Sequence, residues 1–133
     1  MTDAARTGAS ILVVEDDLMI AEFVTDTLES AGHRITWARN GIEALERFEQ
    51  GPPALILLDL GLPRLDGLGV LAELKLRRAA DAPRLPIVIM TGRDSVGDIR
   101  KAGTLGATGH LPKPFSVQLL LSTVTEQLPR TGA

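Results

Sequence analysis

Three carboxylates are spaced so that they can share one site. Glu15 and Asp16 directly follow the apolar run 11–14, and Asp59 directly follows the apolar run 55–58. If both runs are strands of one parallel sheet, their carboxyl ends lie at the same edge and the three side chains converge there. Two like charges about 4 Å apart repel by roughly 4 kcal/mol at an effective dielectric of about 20, so the cluster must keep a proton or hold a cation. Oxygen ligands without sulfur or clustered histidine favour magnesium over zinc.

Asp17 continues this acidic run but has an ordinary structural explanation. An aspartate at the start of a helix caps free amide groups and interacts favourably with the helix dipole. Asp17 is therefore as easily a helix cap as a ligand. The coincidence of Asp59 with the pair Glu15 and Asp16 is harder to explain by capping, because it joins two runs that are distant in the sequence.

Two further polar groups are expected at the same edge. Thr91 follows the apolar run 87–90 and precedes Gly92, where the missing side chain leaves room for a close approach. Lys113 lies between two prolines after the expected last strand, which fixes the position of its ammonium group. A metal pocket, a nucleophilic carboxylate, a hydroxyl donor and a fixed cation are the components of phosphoryl transfer. The nucleophile would be Asp59, which would become an aspartyl phosphate.

The elements that must position these groups alternate along the chain. Apolar or β-branched runs predict strands at 11–14, 34–37, 54–58, 87–90 and 109–111. Apolar residues at helical spacing predict helices between the strands and after the last one; the first ends near Gly32, and the second begins at Asn40 and ends at Gly51. Strands that alternate with helices give a parallel sheet covered on both faces. The sequence therefore predicts a doubly wound α/β domain of five βα units, (βα)5.

Length and composition agree with one domain. The chain has 133 residues, of which 44% are hydrophobic and 23% charged, and it has no cysteine, which excludes a disulfide and a thiolate metal site. The apolar runs are far shorter than the roughly 20 residues of a membrane helix, and residues 1–10 lack the apolar core of a signal peptide, so we expect a cytoplasmic location and no membrane association. The net charge of −3 argues against nucleic-acid binding.

Four motifs taken together resemble the receiver domain of two-component response regulators, and the resemblance covers residues 9–128. The motifs are Val13-Val14-Glu15-Asp16-Asp17, Leu57-Leu58-Asp59-Leu60-Gly61-Leu62-Pro63, Met90-Thr91-Gly92 and Lys113-Pro114-Phe115. The resemblance implies a flavodoxin-like three-layer sandwich with strand order 2-1-3-4-5. Residues 1–8 and 129–133 are then expected to be flexible ends.

The resemblance also implies roles for the acidic residues. Asp59 is similar to the phosphoacceptor, which takes a phosphoryl group from a phosphohistidine on a sensor kinase or a phosphotransfer protein. Asp16 and Asp59 resemble direct Mg²⁺ ligands, Glu15 a ligand acting through water, and the Gly61 carbonyl a further ligand. Such a protein is not an enzyme apart from catalysing its own phosphorylation and dephosphorylation.

The remaining implied roles concern switching. Thr91 resembles the hydroxyl that moves onto the phosphoryl oxygen, and Lys113 the cation that pairs first with the acceptor and then with the phosphoryl group. The Lys113-Pro114 bond is commonly cis in this family. One departure stands out: the family usually has Tyr or Phe three residues before the lysine, whereas this chain has His110. Histidine changes charge between about pH 5 and 8, so we expect coupling at His110 to be pH-sensitive if this residue fills the switch position.

Family members signal through the fourth helix, fifth strand and fifth helix. This region belongs to a basic half of the chain: residues 1–66 hold 12 acids and 5 bases, and residues 67–133 hold 5 acids and 9 bases. Arg93, Arg100 and Lys101 either form a partner-facing patch or are ordinary solvated helix charges. No effector segment is expected after residue 128, so we expect a stand-alone receiver that resembles chemotaxis regulators and acts on an unidentified downstream protein.

Two alternatives remain beside the phosphoacceptor. The first is a receiver-like binding module whose phosphorylation has no consequence, which is suggested by His110 and by Gly103, a glycine that would loosen the fourth helix. The second is a phosphohydrolase acting on a small molecule through an aspartyl intermediate. It is disfavoured because the position two residues after Asp59, where a general acid would be needed, is Gly61, and because no cap insertion is present.

Overall fold

Five strands and five helices alternate along the chain in this computed structural model, which describes residues 8–62, 64–78, 82–92 and 96–128. The strands are β1 (Ser10–Val14), β2 (Arg34–Ala38), β3 (Leu55–Asp59), β4 (Ile87–Thr91) and β5 (Gly109–Pro112). The helices are α1 (Leu18–Ser30), α2 (Gly41–Gln50), α3 (Gly67–Arg77), α4 (Val96–Thr104) and α5 (Val117–Gln127).

All strand pairs are parallel, and the sheet order is β2-β1-β3-β4-β5, as predicted. Four of the strands end one residue later than the apolar patterns indicate. The sheet pairing extends to Asp59, which is opposite Met90, and to Thr91, which is opposite Pro112. Strand pairing uses backbone groups alone, so a polar side chain does not end it. Asp59 and Thr91 are therefore held by the sheet itself rather than by the following loops.

The core lies in two layers, one on each face of the sheet. One layer joins the sheet to α2, α3 and α4 through residues such as Leu58, Leu71 and Ala102. The other joins it to α1 and α5 through residues such as Val13 and Leu120. Because β1, β3 and β4 are buried on both faces, their sequences are continuous apolar runs rather than alternating ones. This is the three-layer sandwich that the sequence predicts.

The helix ends follow local capping chemistry. Asp17 is the N-cap of α1, and its carboxylate accepts hydrogen bonds from the amides of Met19 and Ile20 at 2.9 and 3.2 Å. The structural explanation of Asp17 is therefore correct. Asn40 caps α2 as predicted, with its side chain accepting from the Glu43 amide at 2.9 Å. These caps start the helices at the strand ends where the site lies.

Several predictions fall on positions outside the described residues. These are the flexible ends, apart from Gly8, and the contribution of Arg93 to a basic patch. Arg100 and Lys101 are exposed on α4, and Gly103 lies in the same helix. Within the described ranges, no helix combines the length and apolar character that a membrane crossing requires.

Candidate functional site

The three predicted carboxylates meet at the carboxyl edge of the sheet. One oxygen from each of Glu15, Asp16 and Asp59 lies within 4.8 Å of the others. Glu15 is completely buried and Asp59 is 7% exposed, whereas Asp16 is exposed. The cluster is therefore open on the Asp16 side and closed on the Glu15 side.

Lys113 neutralises part of this negative charge. Its ammonium nitrogen lies 2.8 Å from Glu15 Oε1 and 3.4 Å from Asp59 Oδ2. The backbone of Lys113 is held as well, since its amide donates to the Thr91 carbonyl at 2.6 Å. The Lys113-Pro114 peptide bond is cis, as the resemblance implies.

Burial and mutual interaction shift the pKa values of this group. Burial raises the pKa of Glu15 to about 7; the adjacent Lys113 ammonium opposes this rise and the negative Asp59 adds to it. Burial alone would lower the pKa of Lys113, but its contacts with Glu15 and Asp59 outweigh that effect and raise it. Lys113 therefore remains a cation at neutral pH, whereas the raised pKa of Glu15 lies close to neutral pH.

Asp59 is oriented by backbone groups around it. Its Oδ1 accepts a hydrogen bond from the Gly61 amide at 3.0 Å, while Oδ2 faces Lys113. Gly67, the first residue of α3, packs directly on the strand end. A Cβ at Gly67 would lie 2.7 Å from the Asp59 carbonyl oxygen and 2.6 Å from Leu60 Cα, so no other residue fits without displacing this segment. The segment that carries Asp59 is thus fixed from both sides.

The donor set fits a small hard cation. Ligands of an octahedral Mg²⁺ site are about 3 to 4.2 Å apart, and the three carboxylate oxygens, which lie within 4.8 Å of one another, are close enough to surround one ion directly or through water. Three carboxylates and one ammonium carry a formal charge of −2, which a divalent ion balances. Glu15 Oε1 is buried and is contacted at 2.8 Å by the Lys113 ammonium, so a cation in the pocket would share this carboxylate with Lys113 or reach it through water. Asp16, Asp59 and Glu15 are the residues that would hold the ion.

Thr91 and His110 are brought together at the next strand pair. Thr91 is 3% exposed, and its Oγ1 lies 3.0 Å from His110 Nε2. His110 is exposed, whereas the next residue, Leu111, is buried against the α1 and α5 layer. The His110 side chain therefore lies on the face of the sheet opposite to that of Leu111. The structure therefore joins the two residues that the sequence associates with switching, through a hydrogen bond that sequence alone does not reveal.

Two features of the site were not predicted. The Trp37 indole Nε1 donates to the Glu15 carbonyl at 2.8 Å. The signal available in the sequence was a tryptophan at the end of the predicted strand 34–37. A groove of about 520 Å³ also opens next to Lys113. Its lining residues are Met19, Ile20, Phe23, Gly92, Lys113, Pro114 and Phe115.

A parallel α/β sandwich with an acidic, lysine-bearing pocket at its sheet edge defines a class of phosphate-handling signalling domains. The family model described as the response regulator receiver domain matches residues 11–125. The chain belongs to this family, the phosphoacceptor domains of two-component signal transduction. Receiver domains accept phosphate from histidine kinases, generally bind Mg²⁺ at an acidic pocket and are not enzymes in the usual sense.

The chain is similar to response regulators of known name. It is 39% identical over 123 residues to the response regulator MprA of Mycobacterium sp. strain KMS and 40% identical over 122 residues to that of Mycobacterium ulcerans. These matches cover 92% and 91% of this chain and 51% and 50% of the relatives, so the chain spans about half the length of the curated relatives it matches.

Solved structures agree on the fold. NtrX from Brucella abortus matches with a TM-score of 0.84 at 32% identity, and the match covers 92% of this chain and 27% of that one. The chemotaxis protein CheY4 of Vibrio cholerae matches with a TM-score of 0.83 at 29% identity, covering 92% of this chain and all of that one. The receiver-domain match over residues 11–125 favours the phosphoacceptor over both alternatives.

Proposed function

We propose that Asp59 is the phosphoacceptor of this receiver domain and that its phosphorylation depends on Mg²⁺. The observation that carries the proposal is the meeting of Glu15, Asp16 and Asp59 within 4.8 Å, with the Lys113 ammonium in contact with two of them. Asp59 is the member whose two oxygens are divided between a backbone amide and a lysine, which prepares it as an oriented nucleophile.

The proposed step is transfer from a phosphohistidine on a kinase or a phosphotransfer protein. A carboxylate oxygen of Asp59 attacks the phosphorus, the phosphorus–nitrogen bond breaks, and its electron pair returns to the imidazole of the donor. Bound Mg²⁺ would neutralise charge on the phosphoryl oxygens during this transfer. Lys113 can pair with the same oxygens by exchanging its contact with Asp59 for one with the phosphoryl group. Hydrolysis by water would restore the carboxylate.

The proposal gives Gly61 and Glu15 supporting roles. Gly61 follows Asp59 by two residues, and the bond from its amide to Asp59 Oδ1 holds this residue beside the carboxylate, where its carbonyl is the proposed further oxygen ligand for the ion. Glu15 is buried behind the other two carboxylates and is held by Lys113 at 2.8 Å, which supports a role through water rather than through direct coordination.

Thr91 and His110 form the proposed switch. A hydroxyl has one hydrogen, so while Thr91 donates it to an unprotonated His110 Nε2 it cannot donate it to a phosphoryl oxygen. Movement of Thr91 onto the phosphoryl group therefore requires that this bond break or that His110 become the donor. Replacement of His110 by phenylalanine, which removes the nitrogen and keeps a ring, should leave Thr91 free and raise the phosphorylation rate with a small donor.

The groove beside Lys113 supports docking of the phosphohistidine donor. In the first half of α1, Met19 is 79% exposed and Phe23 is 38% exposed, and the Phe23 and Phe115 rings lie 6.1 Å apart. A donor must bring its phosphohistidine to the mouth of the acidic pocket. The surface of the donor around that histidine would then cover the apolar groove beside Lys113. The surface of α4, β5 and α5, which carries His110, Arg100 and Lys101, is the proposed output surface toward an unidentified protein in the cytoplasm.

The test is phosphorylation with Mg²⁺ and a small acyl-phosphate donor, followed by intact mass measurement. We expect one phosphoryl group on the wild type, none on Asp59→Asn, and none on the wild type when the metal is chelated. Absence of label on the wild type from both acyl phosphate and a phosphorylated kinase would favour a phosphorylation-independent binding module. Sustained turnover of an unrelated phosphoester would favour the hydrolase.

A further inference from the structure

The peptide bond between Glu15 and Asp16 is held in place by β2, the strand next to β1. The Glu15 amide donates to the Ala38 carbonyl at 3.0 Å, and the Glu15 carbonyl accepts from the Trp37 indole at 2.8 Å. Both groups of the Glu15 backbone are thereby satisfied at the point where the chain leaves the sheet. The carbonyl would otherwise lack a partner in the strand ladder, which ends for β1 at Val14.

This carbonyl belongs to the peptide plane that links the two acidic residues. Since a peptide unit is planar, fixing the direction of the Glu15 carbonyl also fixes the amide and Cα of Asp16. Asp16 is exposed, and in the described part of the chain no side-chain hydrogen bond holds its carboxylate. Its placement therefore depends on its backbone. The Trp37 bond holds the Glu15–Asp16 peptide, and the Asp17 amide, which donates to Glu15 Oε2 at 3.1 Å, holds the next peptide.

The indole is itself held in position. Trp37 is half-buried and packs against the α1 and α5 layer. The guanidinium of Arg39, the residue that follows β2, lies 5.3 Å from the centroid of the indole ring. A cation over an aromatic face is attracted by the ring's negative face. The donor thus points at Glu15 from a ring that packs against the core layer and is contacted by a guanidinium.

We infer that Trp37 is a positioning residue for the metal site: its indole N–H orients the Glu15–Asp16 peptide so that the Asp16 carboxylate is ready for a divalent cation. This inference rests on the proposed function, because it assigns Trp37 to the metal site proposed there. Because the bond orders this peptide, losing it adds an ordering cost to metal binding.

The test is titration of the whole chain with MgCl₂ by calorimetry. In Trp37→Phe, and in a protein carrying benzothienylalanine at position 37, which keeps the ring shape but lacks the N–H, we expect Mg²⁺ to bind about three- to ten-fold more weakly, the range for one net hydrogen bond. The matched control is Ile35→Ala, which removes packing from the same strand face without touching Glu15. It should lower thermal stability and leave the Mg²⁺ affinity unchanged.

A second readout requires no metal. In ¹H–¹⁵N spectra, Trp37→Phe should displace the Asp16 and Asp17 amide resonances, whereas Ile35→Ala should leave them in place. Wild-type affinity in the benzothienylalanine protein together with unmoved Asp16 and Asp17 amides would overturn the inference. If the wild type binds no Mg²⁺, or if Asp59→Asn is labelled as well as the wild type, the proposed function is wrong, and the amide shifts alone decide whether Trp37 orients this peptide.

Discussion

Replacing Lys113 with alanine should change the Mg²⁺ affinity little and the rate of phosphorylation strongly. Its ammonium contacts Glu15 at 2.8 Å and Asp59 at 3.4 Å, and its loss makes the formal charge of the pocket more negative by one. A more negative pocket attracts a divalent cation more strongly. The same loss removes the group that opposes the rise in the Glu15 pKa, already about 7, and so lets a proton compete with the metal. Because these effects oppose each other, we expect the Mg²⁺ Kd at neutral pH to change by less than about three-fold.

Phosphorylation should respond very differently. The cation that can pair with the phosphoryl oxygens is gone, and loss of one preorganised charge-stabilising group typically costs about 10²- to 10³-fold in rate. The assay is the initial rate of mass increase with acyl phosphate at saturating Mg²⁺, paired with a calorimetric Mg²⁺ titration. Lys101→Ala removes an exposed lysine on α4 and is the matched control, for which we expect an unchanged rate.

Two results would refute this reasoning. If Lys113→Ala weakened Mg²⁺ binding ten-fold or more, Lys113 would be needed to build the carboxylate cluster rather than to serve transfer. If the variant were labelled at the wild-type rate, the ammonium would take no part in charge stabilisation. Titration of the variant at higher pH sharpens the test, since proton competition at Glu15 then disappears and Mg²⁺ should bind more tightly than to the wild type.

Three further predictions concern stability and docking. Burial lowers the pKa of His33, whose neutral Nδ1 accepts a hydrogen bond from the Ala9 amide at 3.1 Å. The stabilisation from this bond, about 1 kcal/mol, is therefore complete above the ordinary pKa of histidine and is lost as the pH falls. In urea unfolding, the stabilities of the wild type and His33→Ala should converge toward about pH 5, and a pH-independent difference would contradict this. Gly67→Ala should destabilise the fold by about 1–3 kcal/mol because the added Cβ would overlap backbone atoms. Gly103→Ala, whose added Cβ would meet no atom within 4 Å, should stabilise the fold by up to about 1 kcal/mol. Equal effects of the two substitutions in denaturant unfolding would disprove the close packing of Gly67. Met19→Glu should slow phosphorylation by a phosphorylated kinase and leave the acyl-phosphate rate unchanged, and equal rates with both donors would remove Met19 from the docking surface.

The sequence determined the architecture because its signals are local and repetitive. Continuous apolar runs predict strands buried on both faces, and their alternation with helical spacing predicts a parallel sheet. The predicted strands ended one residue too early, as before Asp59 and before Thr91, because strand pairing continues through polar residues. Residue types at the strand ends were enough to bring Glu15, Asp16 and Asp59 to one edge, because in a parallel sheet that edge is shared.

The tertiary structure alone decided how these side chains interact. The raised pKa of Glu15 follows from complete burial beside Asp59, and burial is a property of the packed molecule. The bond from Thr91 to His110 joins residues of neighbouring strands, and the bond from Trp37 reaches the Glu15 carbonyl across the β1–β2 pair. Each of these depends on distances within a few tenths of an ångström between segments separated by 19 or 22 positions. Spacing along a chain predicts which groups share an edge, whereas the packing of the sheet and helices sets which atoms touch.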